Sequence, residues 1–417
     1  MSTIEKHDMT QGKILLPLVS FTIPLVLGNL FQLTYNAADS VIVGKYVGEQ
    51  ALAAVGTSTP IMNIAILLIS GMCMGASVLM SSQYGAKDYD TLSRQISTTM
   101  LAGCGFSVVF SLLMLLLANP VLRLIRVPET AIPEAAAYLR IIFMGLIFTF
   151  MYNFLANTMR ALGDSKTPLY FLVTSAFLNI FGDLFFVVVL RWGVAGSAIA
   201  TVCSEGLCCL LCGIYIKKKI PLLCLGKKWW VFDKSLLGKT VSYGSTSAMQ
   251  QVCLQLGKLI IQSVVNTQGV AVMAAFTAVN RVDDFAYTPQ QNIGHAMTTF
   301  LAQNKGAGHK ERMKKGFQTG LLIELVYSIG LFCVIWGLAP QIMTLFAEDG
   351  DAQVVSLGIS YLHLISWMYI LPGLTNGVQG FFRGIGDLKV TLYSTFMNMF
   401  GRVVAVFVMI RLLQMEF

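Results

Sequence analysis

Long, nearly uncharged apolar runs, each about 20 to 30 residues and so able to cross a bilayer core as a helix, follow one another along almost the whole chain. Only helices and closed barrels satisfy backbone polar groups inside lipid. Barrel strands are about ten residues long and alternate apolar with polar side chains, so these runs specify helices. Composition agrees. Of 417 residues, 55% are hydrophobic and 12% are charged, where a soluble domain carries roughly 25% charged residues. The expected spans are 14–38, 51–83, 93–118, 133–159, 167–190, 195–216, 239–266, 271–303, 314–338, 353–382 and 389–411. The run that begins at Ile14 is too long for a signal peptide and has no clear cleavage site, so it is expected to stay as the first span.

The formal charge of +8 raises the question of a nucleic-acid partner, and the placement of the basic residues answers it. Lys6, Lys13, Lys87, Arg94, Arg160, Lys166, Lys217, Lys218, Lys219, Lys305, Lys310, Arg312 and Arg383 fall at ends of one polarity, whereas Lys45, Arg123, Arg126, Arg140, Arg191 and Arg411 fall at the other. Positively charged loops stay in the cytoplasm. The bias therefore predicts a cytoplasmic N-terminus in a bacterial inner membrane, and no nucleic acid. Residues 217–238 combine Lys with Trp229 and Trp230 and read as a cytoplasmic linker lying on the membrane surface. Cys208, Cys209 and Cys212 share one apolar stretch, but no second Cys or His pair accompanies them, so they are expected to be small apolar filler.

The chain repeats itself at an offset of about 220 residues, as duplicated transporter folds do. Leu52-Ala53-Ala54 is answered by Met273-Ala274-Ala275, and Gly85-Ala86 by Gly306-Ala307. Arg160, Gly163, Asp164 and Lys166 are answered by Arg383, Gly386, Asp387 and Lys389, and Asn153 by Asn376. Six spans in the first copy start the second copy on the same side, which predicts two pseudo-symmetric lobes related by an axis along the membrane normal. The expected division is an N-terminal lobe over 1–216, the linker 217–238, and a C-terminal lobe over 239–417. Eleven spans leave the second lobe one helix short of six, so the chain is expected to lack a twelfth.

Ionisable groups at bilayer depth are costly and mark function by default. Asp39 ends the first span, following Tyr35 and Asn36. Asn179 and Asp183 are four apart in the fifth span, and Thr201 and Glu205 four apart in the sixth, each pair on one helix face. Carboxylate, amide and hydroxyl oxygens suit a hard cation, and carboxylates also take up and release protons. Asp39, Asn179, Asp183 and Thr201 are thus candidate cation ligands for H⁺ or Na⁺, with Tyr35, Asn36, Asn153 and Glu205 as a surrounding network. In the second copy Arg402 stands where the first has Asp183. A buried Arg repels cations, which predicts ion coupling in the first lobe alone. Asp283 and Asp284 are expected to pair with Arg281. Pro24 removes a backbone hydrogen bond and predicts a bend in the first helix. Gln251, Gln255, Gln290 and Gln291 are candidates to line a substrate cavity among adaptable Met and Phe side chains.

Asn36-Ala37-Ala38-Asp39, Val43-Gly44, Gly48, Leu52-Ala53-Ala54-Val55-Gly56 and Arg160-Ala161-Leu162-Gly163-Asp164 with Pro168 together resemble the multidrug and toxic compound extrusion (MATE) family. The resemblance implies twelve helices in two lobes and cation-coupled export of organic, often cationic compounds by a monomer. Asp39, Asn179, Asp183 and Thr201 match the first-lobe cation site of its DinF-like type, and Pro24 matches its bend proline. The NorM type also uses acids in the seventh and tenth helices, and those spans hold none here. The rival within the same superfamily is a lipid-linked oligosaccharide flippase, which needs a large basic cavity. An enzyme is not expected. Neither HExxH nor GxSxG occurs, His7, His295, His309 and His363 are scattered, and no phosphate-binding GxxxxGK[ST] loop is present. No cofactor is expected beyond the coupling ion.

Overall fold

The computed structural model describes residues 8–125, 127–129, 131–220, 230–266, 269–346 and 352–408. Over these the chain folds into helices α1 (Leu15–Tyr46), α2 (Glu49–Gly85), α3 (Tyr89–Leu124), α4 (Ile132–Met144), α5 (Leu146–Ala161), α6 (Lys166–Asp183), α7 (Gly193–Lys219), α8 (Lys234–Val265), α9 (Val270–Gly306), α10 (Lys310–Phe346), α11 (Ala352–Met368), α12 (Ile370–Gly384) and α13 (Leu388–Phe407). Each of the eleven expected spans corresponds to one helix or to one bent pair. α4 and α5 bend by 46° at their junction and α11 and α12 by 41°. Counting each bent pair as one span, eight elements are long and apolar enough to cross a membrane. α8 and α9 are more polar, and α9 carries Arg281, Asp283 and Asp284.

The helices form two compact units. One comprises Met1–Asp8 and Ile23–Ala248, the other Met9–Thr22 and Met249–Phe417. The division falls inside α1, one residue before Pro24, and inside α8. In the first unit Ile69 and Cys73 of α2, Ile96 and Met100 of α3, and Phe150 and Phe154 of α5 share one apolar core. In the second, Val279 and Val282 of α9, Met343 of α10 and Leu362 of α11 do the same. Leu112 and Leu116 of α3, Val326 of α10 and Trp367 of α11 point outward and exposed, as lipid-facing side chains do.

The duplication is visible in backbone conformation. The turn into α2 passes through Gly48 at φ 113°, and the turn into α9 through Gly269 at φ 104°. After α9 a left-handed Gly308 (φ 75°) turns the chain, and at the equivalent point after α2 stands Lys87 at φ 57°. The first copy thus carries a side chain in a region that glycine occupies freely. In the second unit α9 and α12 touch backbone to backbone. A Cβ on Gly380 would lie 2.6 Å from the Gly294 carbonyl oxygen, and one on Gly384 2.6 Å from Leu301 Cβ. Gly380 and Gly384 permit this approach, as small residues do between membrane helices, while Gly373 and Gly377 of the same helix lie nearest Ser328 and Leu321 of α10. Thr298 Oγ1 donates to the Gly294 carbonyl of its own helix at 2.9 Å and lies 3.3 Å from the Gly380 carbonyl across the contact.

At one end of the second unit Arg312 of α10 straps the N-terminal arm. Its guanidinium donates to the carbonyls of Gly12 at 2.7 Å, Gln11 at 2.8 Å and Met9 at 3.1 Å. The Met9 amide donates in turn to Gln303 Oε1 at 3.1 Å. Of the linker 217–238, residues 221–229 lie outside the described residues. Beyond them Val231 N donates to Ser97 Oγ, Asp233 N to Thr98 Oγ1, and Arg94 pairs with Asp233 at 2.6 Å.

Two expectations for the second unit are corrected. Arg402 is exposed rather than buried, so it raises no cation barrier in the interior. Asp284 pairs with Lys258 at 2.9 Å instead of Arg281, and Asp283 accepts from the Tyr369 hydroxyl. Lys258 on α8 reaches Asp284 on α9, and Arg281 is exposed.

Candidate ion site in the first unit

Close contact between α6 and α7 builds the site. A Cβ on Gly182 would sit 3.0 Å from Ala200 Cβ, and one on Gly196 3.1 Å from the Phe186 carbonyl oxygen. Glycine at both points lets polar side chains one turn away meet across the pair. Asn179 Nδ2 donates to Thr201 Oγ1 at 3.2 Å. Asp183, one turn further along α6, is fully buried. α6 ends there and passes directly into a π-helical turn, Leu184–Val189. Such turns are rare and concentrate at functional sites.

Asp39 comes from α1 and accepts from Ser197 Oγ at 2.8 Å. Its carboxyl lies within electrostatic reach of that of Asp183. Neither Asp183 oxygen has a hydrogen-bond donor, and Asn179 Oδ1 has none either. The site is therefore rich in acceptors and short of donors, a situation that costs about 1–3 kcal/mol per orphaned group unless something positive supplies the missing contact. Among the described residues no Lys or Arg pairs with Asp39 or Asp183, and no group of three or more His, Cys, Asp or Glu is placed to hold a metal.

The sequence-predicted residues divide around this centre. Asp39, Asn179, Asp183 and Thr201 come together. Glu205 lies off the cluster and accepts from Thr149 Oγ1 of α5 at 2.5 Å. Asn153 donates to the Thr149 carbonyl within its own helix, at 2.9 Å. Tyr35 stands near Gln32 and Glu205. The Asn36 side chain lies outside the described residues. Pro24 sits within a continuous α1. Gln251 and Gln291 are half-buried and Gln255 is exposed. Gln290 is fully buried, with both amide hydrogens engaged inside the second unit, so it lines no open surface.

Three residues were missed. Ser197 continues the Thr201–Glu205 spacing back one turn, so helical periodicity on α7 is a sufficient signal for it. Tyr138 of α4 is buried within the electrostatic reach of Asp39, Asp183 and Glu205. Glu324 of α10 is fully buried in the second unit, and neither of its carboxyl oxygens has a partner.

A duplicated helical bundle of membrane-crossing length, holding acids without basic partners in its interior, defines a membrane transporter. The MatE family profile matches residues 24–185 and again 247–408, one match per copy of the repeat, and the chain belongs to this family of secondary transporters. It is 32% identical over 392 residues to the "Probable multidrug resistance protein YpnP" of Bacillus subtilis, covering 93% of this chain and 86% of that protein. It is 29% identical to YoeA of the same organism, also named a probable multidrug resistance protein, over 91% of this chain and 83% of that one. Among solved structures, a MOP superfamily transporter from Pyrococcus furiosus superposes with a TM-score of 0.90 at 23% identity, over 98% of this chain and 91% of that one.

Proposed function

We propose that the chain exports organic, often cationic compounds across the bacterial cytoplasmic membrane in exchange for H⁺ or Na⁺ held by Asp39, Asn179, Asp183 and Thr201. The observation that carries this reading is Asp183, fully buried beside Asp39 with no donor to either oxygen. Two facing acceptors attract each other only through a shared proton or a cation. Binding one joins α1 to the α6–α7 pair through a contact that its release removes. The names of the B. subtilis relatives support the substrate class, and an interior with acids rather than bases at its centre disfavours a flippase for anionic lipid-linked sugars. The charge bias of the loops supports a cytoplasmic N-terminus.

One positive charge moving inward through 100 mV releases about 2.3 kcal/mol, which sustains a roughly fiftyfold outward substrate gradient at about 1.4 kcal/mol per tenfold. Sealed vesicles containing the purified protein, given a proton gradient or a sodium gradient separately, test the exchange. Export of a cationic dye driven by one of them is the expected result, and export that ignores both overturns the proposal.

Pro24 lies beside the point where α1 passes from one unit to the other, and its missing N–H leaves a carbonyl one turn back without its helical donor. Pro24→Ala restores that bond and stiffens the helix that carries Asp39. Export is expected to fall at least tenfold while the purified protein keeps its elution profile and melting temperature. Unchanged transport would show that α1 need not bend.

A further inference from the structure

The first-unit site makes no use of the acid buried in the second unit. Glu324 stands mid-way along α10, with no exposed surface and no donor to Oε1 or Oε2. A Cβ on Gly373 of α12 would lie 2.7 Å from Ser328 Oγ, 3.1 Å from Gln290 Nε2 and 3.4 Å from Glu324 Oε2, so glycine brings α12 against an amide, a hydroxyl and this carboxyl together. The donors there are already engaged. Ser328 Oγ has one hydrogen and gives it to the Glu324 main-chain carbonyl at 2.7 Å. Gln290 Nε2 has two, one for Ser328 Oγ at 3.0 Å and one for the Tyr369 carbonyl at 2.8 Å. Gln290 Oε1 is itself buried without a donor.

Tyr369 occupies the break between α11 and α12, where the helix axis turns by 41°. Its carbonyl takes a main-chain bond from Gly373 N at 3.3 Å and a shorter one from Gln290 Nε2 at 2.8 Å, while its hydroxyl donates to Asp283. The other titratable groups on the packed elements are engaged elsewhere. On α9, Asp284 pairs with Lys258, Tyr287 reaches Asn376, and His295 meets Arg383 of α12. On α11, His363 stacks on Trp336. On α10, Tyr327 donates to the Ala286 carbonyl and is the group in electrostatic range of Glu324. Among the described residues no Lys or Arg pairs with the carboxyl.

We propose that Glu324 is a second proton-binding site, read out at the Tyr369 break of the α11–α12 span. With a proton on the carboxyl, its own O–H supplies the missing donor to Gln290 Oε1, and Gln290 keeps its amide hydrogen on the Tyr369 carbonyl. When that proton leaves to water, the carboxylate has no donor unless it draws the Gln290 amide to itself, which strips the Tyr369 carbonyl of its shortest contact at the bend and leaves it the longer one from Gly373 N. A bare metal cation fits poorly, since hard cations take about six oxygens and the unengaged ones here are two carboxyl oxygens and one amide oxygen.

Spin labels at exposed Ser360 of α11 and Val378 of α12, in cysteine-depleted full-length protein in nanodiscs, measure the bend. The α11–α12 distance is expected to titrate with pH in sodium-free buffer and to ignore Na⁺ at constant pH. Glu324→Gln should hold the acidic-pH distance at every pH, and Gln290→Leu the alkaline-pH distance at every pH. A merely structural role would move both variants in one direction. Asp183→Asn should leave the titration intact, which separates this site from the first unit's. A distance that does not change with pH, that follows Na⁺ instead, or that titrates normally in Glu324→Gln overturns the proposal. Should Glu324→Gln fail to fold, the Gln290→Leu result decides alone.

Discussion

Asp183→Asn is expected to abolish gradient-driven export, lowering it at least tenfold, in protein that folds as well as wild type. Asparagine has nearly the shape of aspartate, so the α6–α7 contact at Gly182 and Ala200 is undisturbed. The exchange replaces a carboxyl that both binds and releases a positive charge by an amide that does neither. It also supplies N–H donors to a site whose acceptors lack them, and removing a buried unpaired charge is neutral or stabilising for the fold. Transport and stability should therefore separate. Dye efflux in sealed vesicles reads the first and a melting curve the second. Asp39→Asn should behave alike, whereas Ser197→Ala, which removes one donor to Asp39, should weaken coupling without abolishing it. Full export by either Asn variant would remove these carboxyls from the mechanism.

The second large effect concerns folding. Gly380→Leu places a side chain where the nearest atom, 2.6 Å from its Cβ, is the backbone oxygen of Gly294. A flexible side chain could move aside, but two packed helix backbones cannot. Overpacking typically costs about 1–3 kcal/mol and more when backbone must shift, and here it would also part Thr298 Oγ1 from the Gly380 carbonyl. The expected outcome is a loss of most detergent-stable protein, seen as aggregation on size exclusion. Gly330→Leu on α10, whose Cβ would meet nothing within 4 Å, is the matched control and should behave as wild type. Equal yields from the two would show that the α9–α12 contact is not needed for stability.

The helical spans were legible because lipid imposes one length and one polarity on every crossing segment, so composition alone marks them. Duplication was legible because two copies keep the same turn chemistry, as Gly48 and Gly269 do. Asn179 and Asp183 could be read as a pair because helical spacing of four places them on one face, and Asp39 because it is an ionisable group at the end of an apolar span. Periodicity does not report which way a side chain points once helices pack. Gln290 looked like its neighbour Gln291, yet one turns inward and the other lies half-buried. Arg402 stands at the repeat position of Asp183, but its helix presents it outward. Glu324 lies in the ninth span, outside the seventh and tenth helices in which the family resemblance places second-lobe acids, although a single Glu within Leu321-Leu322-Ile323-Glu324-Leu325-Val326 is itself a strong signal. The π-helical turn after Asp183 has no counterpart in residue spacing at all.

The grip of Arg312 on the N-terminal arm has a consequence for how the gene can drift. Guanidinium reaches main-chain oxygens of Met9, Gln11 and Gly12, and every amino acid carries such an oxygen. Exposed Gln11 and Lys13 are therefore free to vary without loosening the strap. Position 312 has no such latitude, because a lysine ammonium, a point charge on a flexible stem, cannot span several carbonyls as a planar fork does. The constraint on the arm is thus encoded about 300 residues away from the arm itself.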